Sequence, residues 1–400
     1  MQFPSSLAVP AEVTEIASTL EEAGHQAWCV GGALRDALLG LSQSDFDIAT
    51  SATPEEVQAL FRRTVPVGIK FGTVGVLDGR RRLHEVTTFR RDVSTDGRRA
   101  VVEYGVSLEE DLARRDFTIN AIAYHPLRRE WQDPYGGAID LARRRIRAVG
   151  NPAERFKEDY LRILRCARFA ARLGFNVEQA TWQAAADAAE GLLTLSAERV
   201  RDEWFKSLET ARDLERVVGL WSKIGASERW IPELLGPEDR QSIDVLQGLR
   251  DRDFPRDPVL LTALLTTDPA AVLTRLKASR AEIGRADAIR KAPAEPASQD
   301  PAAVRRWLAQ VGETSRDLTE LWRLRRGNWP AWRSIIEVVR SRGEATSLKE
   351  LAVTGEDLIA AGIAPGPRLG QVLGQLLDRV LDEPRLNTRE ALLTLAKELS

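Results

Sequence analysis

Cysteine, histidine and long apolar runs are scarce in this chain. Its 400 residues include 2 cysteines and 3 histidines. Cys29 and Cys166 lie in apolar segments without CxxC spacing, which excludes a disulfide framework and a cysteine-based zinc site. No apolar run approaches the roughly 18 residues that span a bilayer, and Met1–Pro4 does not open a secretion signal. The sequence therefore predicts a protein of the reducing cytoplasm that is neither membrane-bound nor secreted.

The formal net charge is only -2, but the charge is unevenly distributed. Residues 61–180 contain 24 Lys and Arg against 16 Asp and Glu, and nearly all of the basic residues are Arg. The planar guanidinium group binds phosphate in a bidentate manner. This block therefore indicates either a phosphate-binding surface or a solvated Arg-rich face, and composition alone does not separate the two.

The chain is too long for one ordinary core, and its pattern changes about a third of the way along. Short strands, including one at Asp45–Ile48, alternate with helices such as the one that follows Thr53 in a capping box. Beyond residue 141 the strands give way to helical periods, with a linker at 292–303. We predict an α+β fold: a mixed-sheet domain over residues 1–141, then helical domains over 142–205, 206–291 and 292–400.

Asp45 and Asp47 are the first candidates for chemistry. Side chains at i and i+2 of a strand project from the same face. Two carboxylates held this way can bind Mg²⁺, which bridges the reacting oxygens in phosphoryl transfer. Glu85, on a second predicted strand, shares a face with Thr87 and is a candidate third carboxylate. A solvated strand face is the alternative for all three acids.

Two glycines stand where a predicted strand turns into a helix. Gly31 and Gly32 would expose backbone amides at that turn, which is a common anion site. Arg35 and Asp36 follow within one helical turn, and Arg35 could supply positive charge to a triphosphate. A tight turn without a ligand is the alternative.

A second dense group of charges, Arg114–Asp116, leads directly into an apolar run. Charges held this close to a core need partners or a ligand. Arg115 and Asp116 are therefore candidates for contacts to nucleotide phosphate and ribose, and a structural salt-bridge cluster is the alternative.

Four polar residues recur every three positions on one predicted helix: Asp159, Arg162, Arg165 and Arg168. A carboxylate beside a guanidinium matches the donor and acceptor edges of cytosine and adenine. Uracil and guanine offer a carbonyl where the carboxylate needs a donor, which would leave buried groups unpaired. The pattern predicts selection of CTP and ATP over UTP and GTP, whereas decoration of a helix surface is the alternative.

Six segments in register resemble the motifs of the class II tRNA nucleotidyltransferase/poly(A) polymerase family. They are Val30–Asp36, Asp45–Asp47, Arg114–Ala121, Asp133–Gly137, Glu158–Arg162 and Leu195–Arg199. A weaker similarity, over residues 354–367, is to the tail of bacterial CCA-adding members.

The resemblance implies a catalytic head followed by helical neck, body and tail domains. Asp45 and Asp47 would bind Mg²⁺, Gly32 and Arg35 the triphosphate, and Arg115 and Asp116 the nucleotide phosphate and sugar. Asp159 and Arg162 would read the base, with Arg165 and Arg168 supporting the pocket. The tail would grip the elbow of tRNA, whose 3′-hydroxyl would attack the α-phosphate of CTP or ATP.

Within the family, the sequence favours full CCA addition. Residues 66–74 are similar to the CCA-adding version, although Phe71 stands where histidine is common, and residues 90–99 resemble the flexible loop that CC-adding members lack. A-adding and CC-adding enzymes, poly(A) polymerases and an inactive RNA-binding scaffold remain alternatives. No His-Asp pair is present, so we expect no HD phosphohydrolase activity.

Overall fold

The computed structural model describes residues 2–41, 45–95, 100–235 and 254–399, together with Gln247 and Leu249. The chain divides into two compact units, Met1–Pro232 and Glu233–Ser400. Within those described ranges, no helix is long and apolar enough to cross a membrane. The mixed strands and helices of the first unit, followed by helices, confirm the α+β class. The predicted boundaries at residues 141, 205 and 291 remain predictions.

All strands of the described residues lie in the first unit. They are β1 (Ala27–Val30), β2 (Asp47–Thr50), β3 (Thr64–Gly68), β4 (Thr73–Leu77), β5 (Leu83–Thr88), β6 (Arg90–Thr95), β7 (Ala100–Tyr104), β8 (Ala123–His125), β9 (Glu130–Gln132), β10 (Arg145–Ile146) and β11 (Asn176–Val177). Among these described strands, seven form one sheet in the order β3-β4-β5-β2-β1-β8-β9, in which only β2 and β5 run parallel. Asp47 and Glu85 thus lie on neighbouring strands at the centre of the sheet.

Each face of this sheet carries its own apolar cluster, because successive side chains of a strand point to opposite faces. One cluster packs α1 (Ala11–Glu22) on the face that holds Ile48 and Val86. The other holds Ala49 and Phe89 on the opposite face, which is also the face of Asp47. Asp47 therefore stands at the edge of a buried layer.

The other helices of the first unit are α2 (Gly32–Leu38), α3 (Pro54–Leu60), α4 (Leu108–Ala113), α5 (Gly137–Ala142), α6 (Pro152–Glu158), α7 (Leu161–Leu173), α8 (Gln179–Asp187), α9 (Ala197–Thr210), α10 (Leu214–Lys223) and α11 (Ala226–Trp230). The predicted capping box at Thr53 is confirmed, since Thr53 and Glu56 exchange side-chain-to-backbone hydrogen bonds. α7 carries the polar residues at three-residue spacing and is buried along much of its length.

In the second unit, the described helices are α12 (Pro258–Leu265), α13 (Pro269–Arg275), α14 (Arg280–Lys291), α15 (Pro301–Val311), α16 (Thr314–Arg326), α17 (Arg333–Ser341), α18 (Gly355–Ala360), α19 (Pro367–Asp382) and α20 (Arg389–Leu399). Residues 292–300 join α14 to α15 outside any helix or strand, whereas residues 301–303, the last three of the predicted linker, begin α15. The last three helices enclose an apolar cluster around Leu358, Leu376 and Leu392.

Three local predictions were wrong. Strands do not end at residue 141, because β10 and β11 pair in parallel beyond it. Residues 90–95 are not loop but β6, which pairs with β7, and Asp96–Gly97 lie outside the described residues. Asp45 precedes β2 rather than lying within it, although the alternation of exposed and buried residues does begin at Asp45. Strands of two residues, and strands rich in charge, give no apolar period to detect.

Candidate active site

The candidate carboxylates meet where β2 begins. Asp47 pairs with Val30 at the end of β1, and the register that matches Ile48 to Val86 places Asp47 next to Glu85 on β5. Asp47 and Glu85 are both exposed, while the residues that alternate with them are buried. The structure therefore places Glu85 beside Asp47, as the strand pattern predicts, and Asp45 at the same end of β2.

The electrostatics of Asp47 show how closely these groups approach. Removal from water by the surrounding protein and repulsion by Glu85 raise the pKa of Asp47 to about 6, and Asp45 adds further repulsion. Arg115 opposes this shift. A cation would relieve the repulsion, so the residues fit a metal ion with oxygen ligands. Among the residues that the structure describes, however, no three acidic, histidine or cysteine side chains form a ready-made metal cage. Asp45 and Asp47 would leave the open positions that a substrate phosphate requires.

The turn between β1 and α2 requires glycine at its first position. Gly31 has φ of +82°, a conformation that side chains with a β-carbon rarely adopt. A β-carbon at Gly31 would lie 3.2 Å from Arg115 Nη1 and 3.5 Å from Asp47 Oδ2. The turn therefore brings the backbone, a guanidinium and a carboxylate together. Gly32 begins α2 beside them.

Arg115 is only partly satisfied by protein groups. Its Nη2 donates to Asp111 Oδ2 at 3.3 Å and its Nη1 to the Asn120 carbonyl at 3.4 Å. Its Nε is buried and has no hydrogen-bond partner within the described part of the chain. Long hydrogen bonds and an unpaired N–H leave this guanidinium available for an anion.

Arg35 and Asp36 are placed in a buried network. Arg35 is 2% exposed and Asp36 is completely buried. The Arg35 guanidinium donates to Asp36 at 2.9 Å and to Asn120 Oδ1 at 2.7 Å, and Arg172 Nη2 donates to Asp36 at 2.8 Å. In this arrangement Arg35 holds the segment that carries Arg115. Direct contact of Arg35 or Asp36 with a nucleotide remains a prediction.

Asp116 is the acceptor that joins this segment to α7. Its Oδ2 accepts from Arg165 at 2.7 Å, and its Oδ1 accepts from Asn120 at 2.9 Å and from the Phe117 N–H at 2.8 Å. Burial alone would raise the pKa of Asp116, but Arg165 and these hydrogen bonds lower it to about 2. With every hydrogen bond made inside the protein, Asp116 positions Asn120 and Arg165, and contact with a sugar remains a prediction.

Asp116→Asn is expected to destabilise the protein at neutral pH by on the order of 2 kcal/mol, since one pKa unit corresponds to about 1.4 kcal/mol. A carboxyl group with a lowered folded-state pKa stabilises the protein above its unfolded value, near 4. That contribution disappears as the pH falls towards about 2. In urea denaturation, the gap between wild type and variant should be constant from about pH 7 to 5 and should narrow below about pH 4.

Asp202→Asn, on an exposed part of α9, serves as the control and should show little gap at any pH. A gap for Asp116→Asn that persists undiminished at about pH 3 would show that lost packing, not charge, accounts for the loss.

The predicted base-reading residues lie at the junction of α6 and α7. Asp159 Oδ1 accepts from the Leu161 N–H at 3.1 Å, and its Oδ2 accepts from Arg199 Nη2 at 2.7 Å. Arg162 donates to Glu158, to the Arg155 carbonyl at 2.9 Å and to the Arg114 carbonyl at 2.9 Å. The side chains are thus fixed by neighbouring elements.

Three of the predicted arginines pack against one aromatic ring, that of Phe169. The guanidinium carbons of Arg35, Arg165 and Arg168 lie 5.0, 5.4 and 4.3 Å from the centre of the Phe169 ring. Such stacking stabilises guanidinium groups at low exposure. Arg168 also donates to Glu203 Oε2 at 2.6 Å. Arg165 and Arg168 thus pack against the Phe169 ring, and their support of a nucleotide pocket remains a prediction.

Sequence reasoning missed several partners, namely Asp111, Asn120, Glu158, Phe169, Arg172, Arg199 and Glu203. Asn120, Glu158 and Arg199 lie inside motif segments, at 114–121, 158–162 and 195–199. Glu203 lies four residues beyond Arg199 on the same face of the same helix. Arg199 Nη1 is buried and unpaired among the described residues.

Three family models match the chain. The one described as "Poly A polymerase head domain" matches residues 27–147. A second, "Probable RNA and SrmB- binding site of polymerase A", matches residues 174–234, and a third, "tRNA nucleotidyltransferase domain 2 putative", matches residues 259–396. The first match spans the sheet and the segment that carries Arg115.

Curated relatives match over nearly the full length. The CCA-adding enzyme of Lacticaseibacillus paracasei is 37% identical, over 96% of this chain and 95% of its own. That of Lactiplantibacillus plantarum is 36% identical, over 96% of this chain and 94% of its own. A crystal structure of the Bacillus stearothermophilus CCA-adding enzyme in complex with CTP has a TM-score of 0.80 and 32% identity, and covers 97% of this chain and 96% of the other.

Proposed function

Because this chain belongs to the class II tRNA nucleotidyltransferase/poly(A) polymerase family, we propose that it adds C, C and A to the 3′ end of tRNA, using CTP and ATP without a nucleic-acid template. The single observation that carries the proposal is similarity along the whole chain to CCA-adding enzymes, one of them crystallised with CTP. These matches do not favour an A-adding enzyme, a CC-adding enzyme or a poly(A) polymerase.

Different residues of this chain have different roles in nucleotidyl transfer. The amides of the Gly31–Gly32 turn and the guanidinium of Arg115 bind the triphosphate, which places its α-phosphate beside Asp47. The 3′-hydroxyl of tRNA attacks that phosphorus, the bond to the bridging oxygen breaks, and pyrophosphate leaves. Arg115 offsets the negative charge that builds on the phosphates.

Asp45 and Asp47 would hold Mg²⁺, with Glu85 as an additional acid nearby. When bound, the ion supplies Lewis-acid activation of the attacking hydroxyl and neutralises phosphate charge. The predominance of hard carboxylate oxygens favours Mg²⁺ over softer metals.

Asp159 and Arg162 read the base. The Asp159 carboxylate accepts from the exocyclic amino group of cytosine or adenine, and Arg162 donates to the adjacent ring nitrogen. Arg199 and the Leu161 N–H hold Asp159 in place.

The buried, unpaired Cys29 and Cys166 are consistent with action in a reducing cytoplasm.

Incorporation of labelled CTP and ATP tests the proposal. Three tRNA transcripts, ending before the first C, after the first C and after the second C, are incubated with Mg²⁺ and each nucleotide, and products are resolved to single residues. We expect stepwise completion to CCA that stops there, with at least about a hundredfold preference over UTP and GTP.

The other outcomes identify the alternatives. Addition of A only to the transcript that ends in CC would indicate an A-adding enzyme. Arrest after two C residues would indicate a CC-adding enzyme, and growth beyond one A would indicate a poly(A) polymerase. No addition to any transcript would leave an RNA-binding scaffold.

A further inference from the structure

The aromatic ring of Tyr160, the residue after Asp159, packs directly on the backbone of Gly191. A β-carbon at Gly191 would overlap the Cδ1, Cε1 and Cζ atoms of that ring. Because carbon atoms pack at about 3.5–4.0 Å, a side chain at position 191 and the ring cannot both keep their places. Gly191 lies in a 3-10 helix, Ala189–Thr194, and its φ is outside the left-handed region. The ring of Tyr160, and not the backbone conformation, therefore requires glycine at this position.

Asp159 and Tyr160 form the joint between α6 and α7. Asp159 has an extended backbone, with φ of -156° and ψ of 105°, whereas Tyr160 already has the helical conformation. Neighbouring α-carbons are about 3.8 Å apart, so a shift of the Tyr160 backbone also moves Asp159. The segment that contains Gly191 continues into α9, from which Arg199 donates to Asp159 Oδ2 at 2.7 Å. One segment thus holds the joint at two points, the Tyr160 ring and the Asp159 carboxylate.

The 3-10 helix under the Tyr160 ring is anchored to its own surroundings. The Thr194 hydroxyl donates to the Gly191 carbonyl at 2.8 Å, and the Trp230 indole N–H donates to the Leu192 carbonyl at 3.0 Å. The Leu192 side chain is completely buried. Retreat of Gly191 from the ring would break these contacts, so a larger residue at this position is expected to move the ring instead.

A cavity gives a displaced ring somewhere to go. Tyr160 and Gly191 both line a space of about 660 Å³ between α6 and α8, whose other walls include Lys157, Gln183 and Asp187. A ring that is pushed away from Gly191 can enter this space without displacing the apolar core. A substitution at Gly191 should therefore shift Tyr160 and the joint while the protein remains folded.

We propose that Tyr160 and Gly191 are positioning residues for base selection, in which the ring seated on Gly191 fixes the place of the Asp159 carboxylate. The inference rests on the proposed function, because that function assigns base reading to Asp159. Hydrogen bonds weaken steeply when their partners are misaligned, and a misplacement of about 1 Å can cost about a hundredfold in rate. A carboxylate that distinguishes an amino group from a carbonyl must therefore be held firmly.

The test compares variants of the full chain. Gly191→Ala pushes the ring away, Tyr160→Ala removes it, and Tyr160→Phe keeps it, because ring carbons make the contact. The matched control is Gly219→Ala on α10, since among the described residues nothing lies within 4 Å of a β-carbon at Gly219. The measurements are kcat/KM for all four nucleotides, on the tRNA transcript that ends before the first C, and urea denaturation.

Gly191→Ala is expected to narrow the preference for CTP over UTP about tenfold, through a lower kcat/KM for CTP while that for UTP stays within about twofold of wild type. Tyr160→Phe and Gly219→Ala should keep the wild-type preference. Tyr160→Ala should narrow the preference to a similar degree as Gly191→Ala. Combining the two should cause no further loss, because the added methyl group then occupies space that the ring has left.

A second combination tests whether Gly191 acts through Asp159. Adding Gly191→Ala to Asp159→Asn should not narrow the preference beyond that of Asp159→Asn alone. A further narrowing would overturn the inference, because Gly191 would then act by another route.

Three other results would also overturn the inference. The first is a wild-type preference in Gly191→Ala. The second is an equal fall in kcat/KM for CTP and UTP together with a lower free energy of unfolding, which would show a purely structural role. The third is a loss in Tyr160→Phe as large as that in Tyr160→Ala, which would show that the hydroxyl itself contacts the nucleotide. Failure of the proposed function is distinguishable from all of these, because wild-type protein would then incorporate no nucleotide or would not prefer CTP.

Discussion

Replacing Asp45 and Asp47 together by Asn is expected to reduce CTP incorporation by about a thousandfold or more, while affinity for tRNA stays within about twofold. Metal activation contributes several kcal/mol to a transition state, and each 1.4 kcal/mol is about tenfold in rate. Asn keeps the size of the side chain and removes the charge that binds a cation. The measurement is single-turnover incorporation of CTP, alongside tRNA binding.

The structure gives this prediction a second readout that does not depend on activity. Repulsion by Glu85 and Asp45 contributes to the raised pKa of Asp47, so neutral Asn should relieve it. Affinity for Mn²⁺ as a spectroscopic probe should fall with activity, while the stability of the metal-free protein should not fall. The matched control is Asp187→Asn with Asp202→Asn, on helices away from the sheet, which should alter neither property.

A double variant that still incorporated CTP at more than about a tenth of the wild-type rate would show that other residues hold the metal. Loss of incorporation together with loss of tRNA binding would point instead to a damaged fold. Glu85→Gln then tests whether Glu85 binds the metal. A small fall in the rate of CTP incorporation would show that Glu85 is only a neighbour of the metal site. A fall as large as that caused by Asp47→Asn would show that Glu85 is a metal ligand.

The parts of this site that follow from local sequence were predictable. Alternation over Asp45–Ile48 places two acids on one face, and exposure in the structure alternates from Asp45 as it should. Thr53 and Glu56 meet in a capping box because both partners lie within one turn. In each case the decisive interaction spans a few residues, so the sequence pattern contains it.

Ion-pair partners on distant elements were not predictable. The arginines at three-residue spacing form one stripe in the sequence, yet Arg165 binds Asp116 and Arg168 binds Glu203. Each of these partners depends on how α7 packs against another segment. Helical spacing determines which face of the helix a side chain occupies, but tertiary packing determines its ion-pair partner.

Three strands were not predictable from the sequence because they lack an apolar alternation. β10 and β11 are two residues each and are held together by parallel pairing across 29 intervening residues. β3 is an edge strand whose middle residues are exposed on both faces, so it has no apolar alternation. An apolar alternation is detectable only in a strand of several residues with one buried face. β10 and β11 are too short, and β3 has no buried face in its middle.

Asp159→Asn is expected to narrow the preference for CTP over UTP by about a hundredfold. The carboxylate accepts two hydrogen bonds from the protein and, in our proposal, one from the amino group of cytosine or adenine. Asn offers one oxygen and an amino group in its place. A lost charged hydrogen bond costs about 1.5–3 kcal/mol, and the new donor now suits a carbonyl of the wrong base. The measurement is kcat/KM for all four nucleotides on the transcript that ends before the first C.

Two further variants separate base reading from local structure, because Asp159 also caps the first turn of α7 through the Leu161 N–H. Asn caps that N–H as well as Asp does, whereas Ala does not. If Asp159 were only structural, Asp159→Asn would keep wild-type selectivity and Asp159→Ala would lose stability alone. Base reading predicts that both variants lose selectivity, and that Asp159→Ala loses stability in addition. Arg199→Lys should fall between wild type and these variants, because it keeps the charge beside Asp159 but loses the planar fork that orients it.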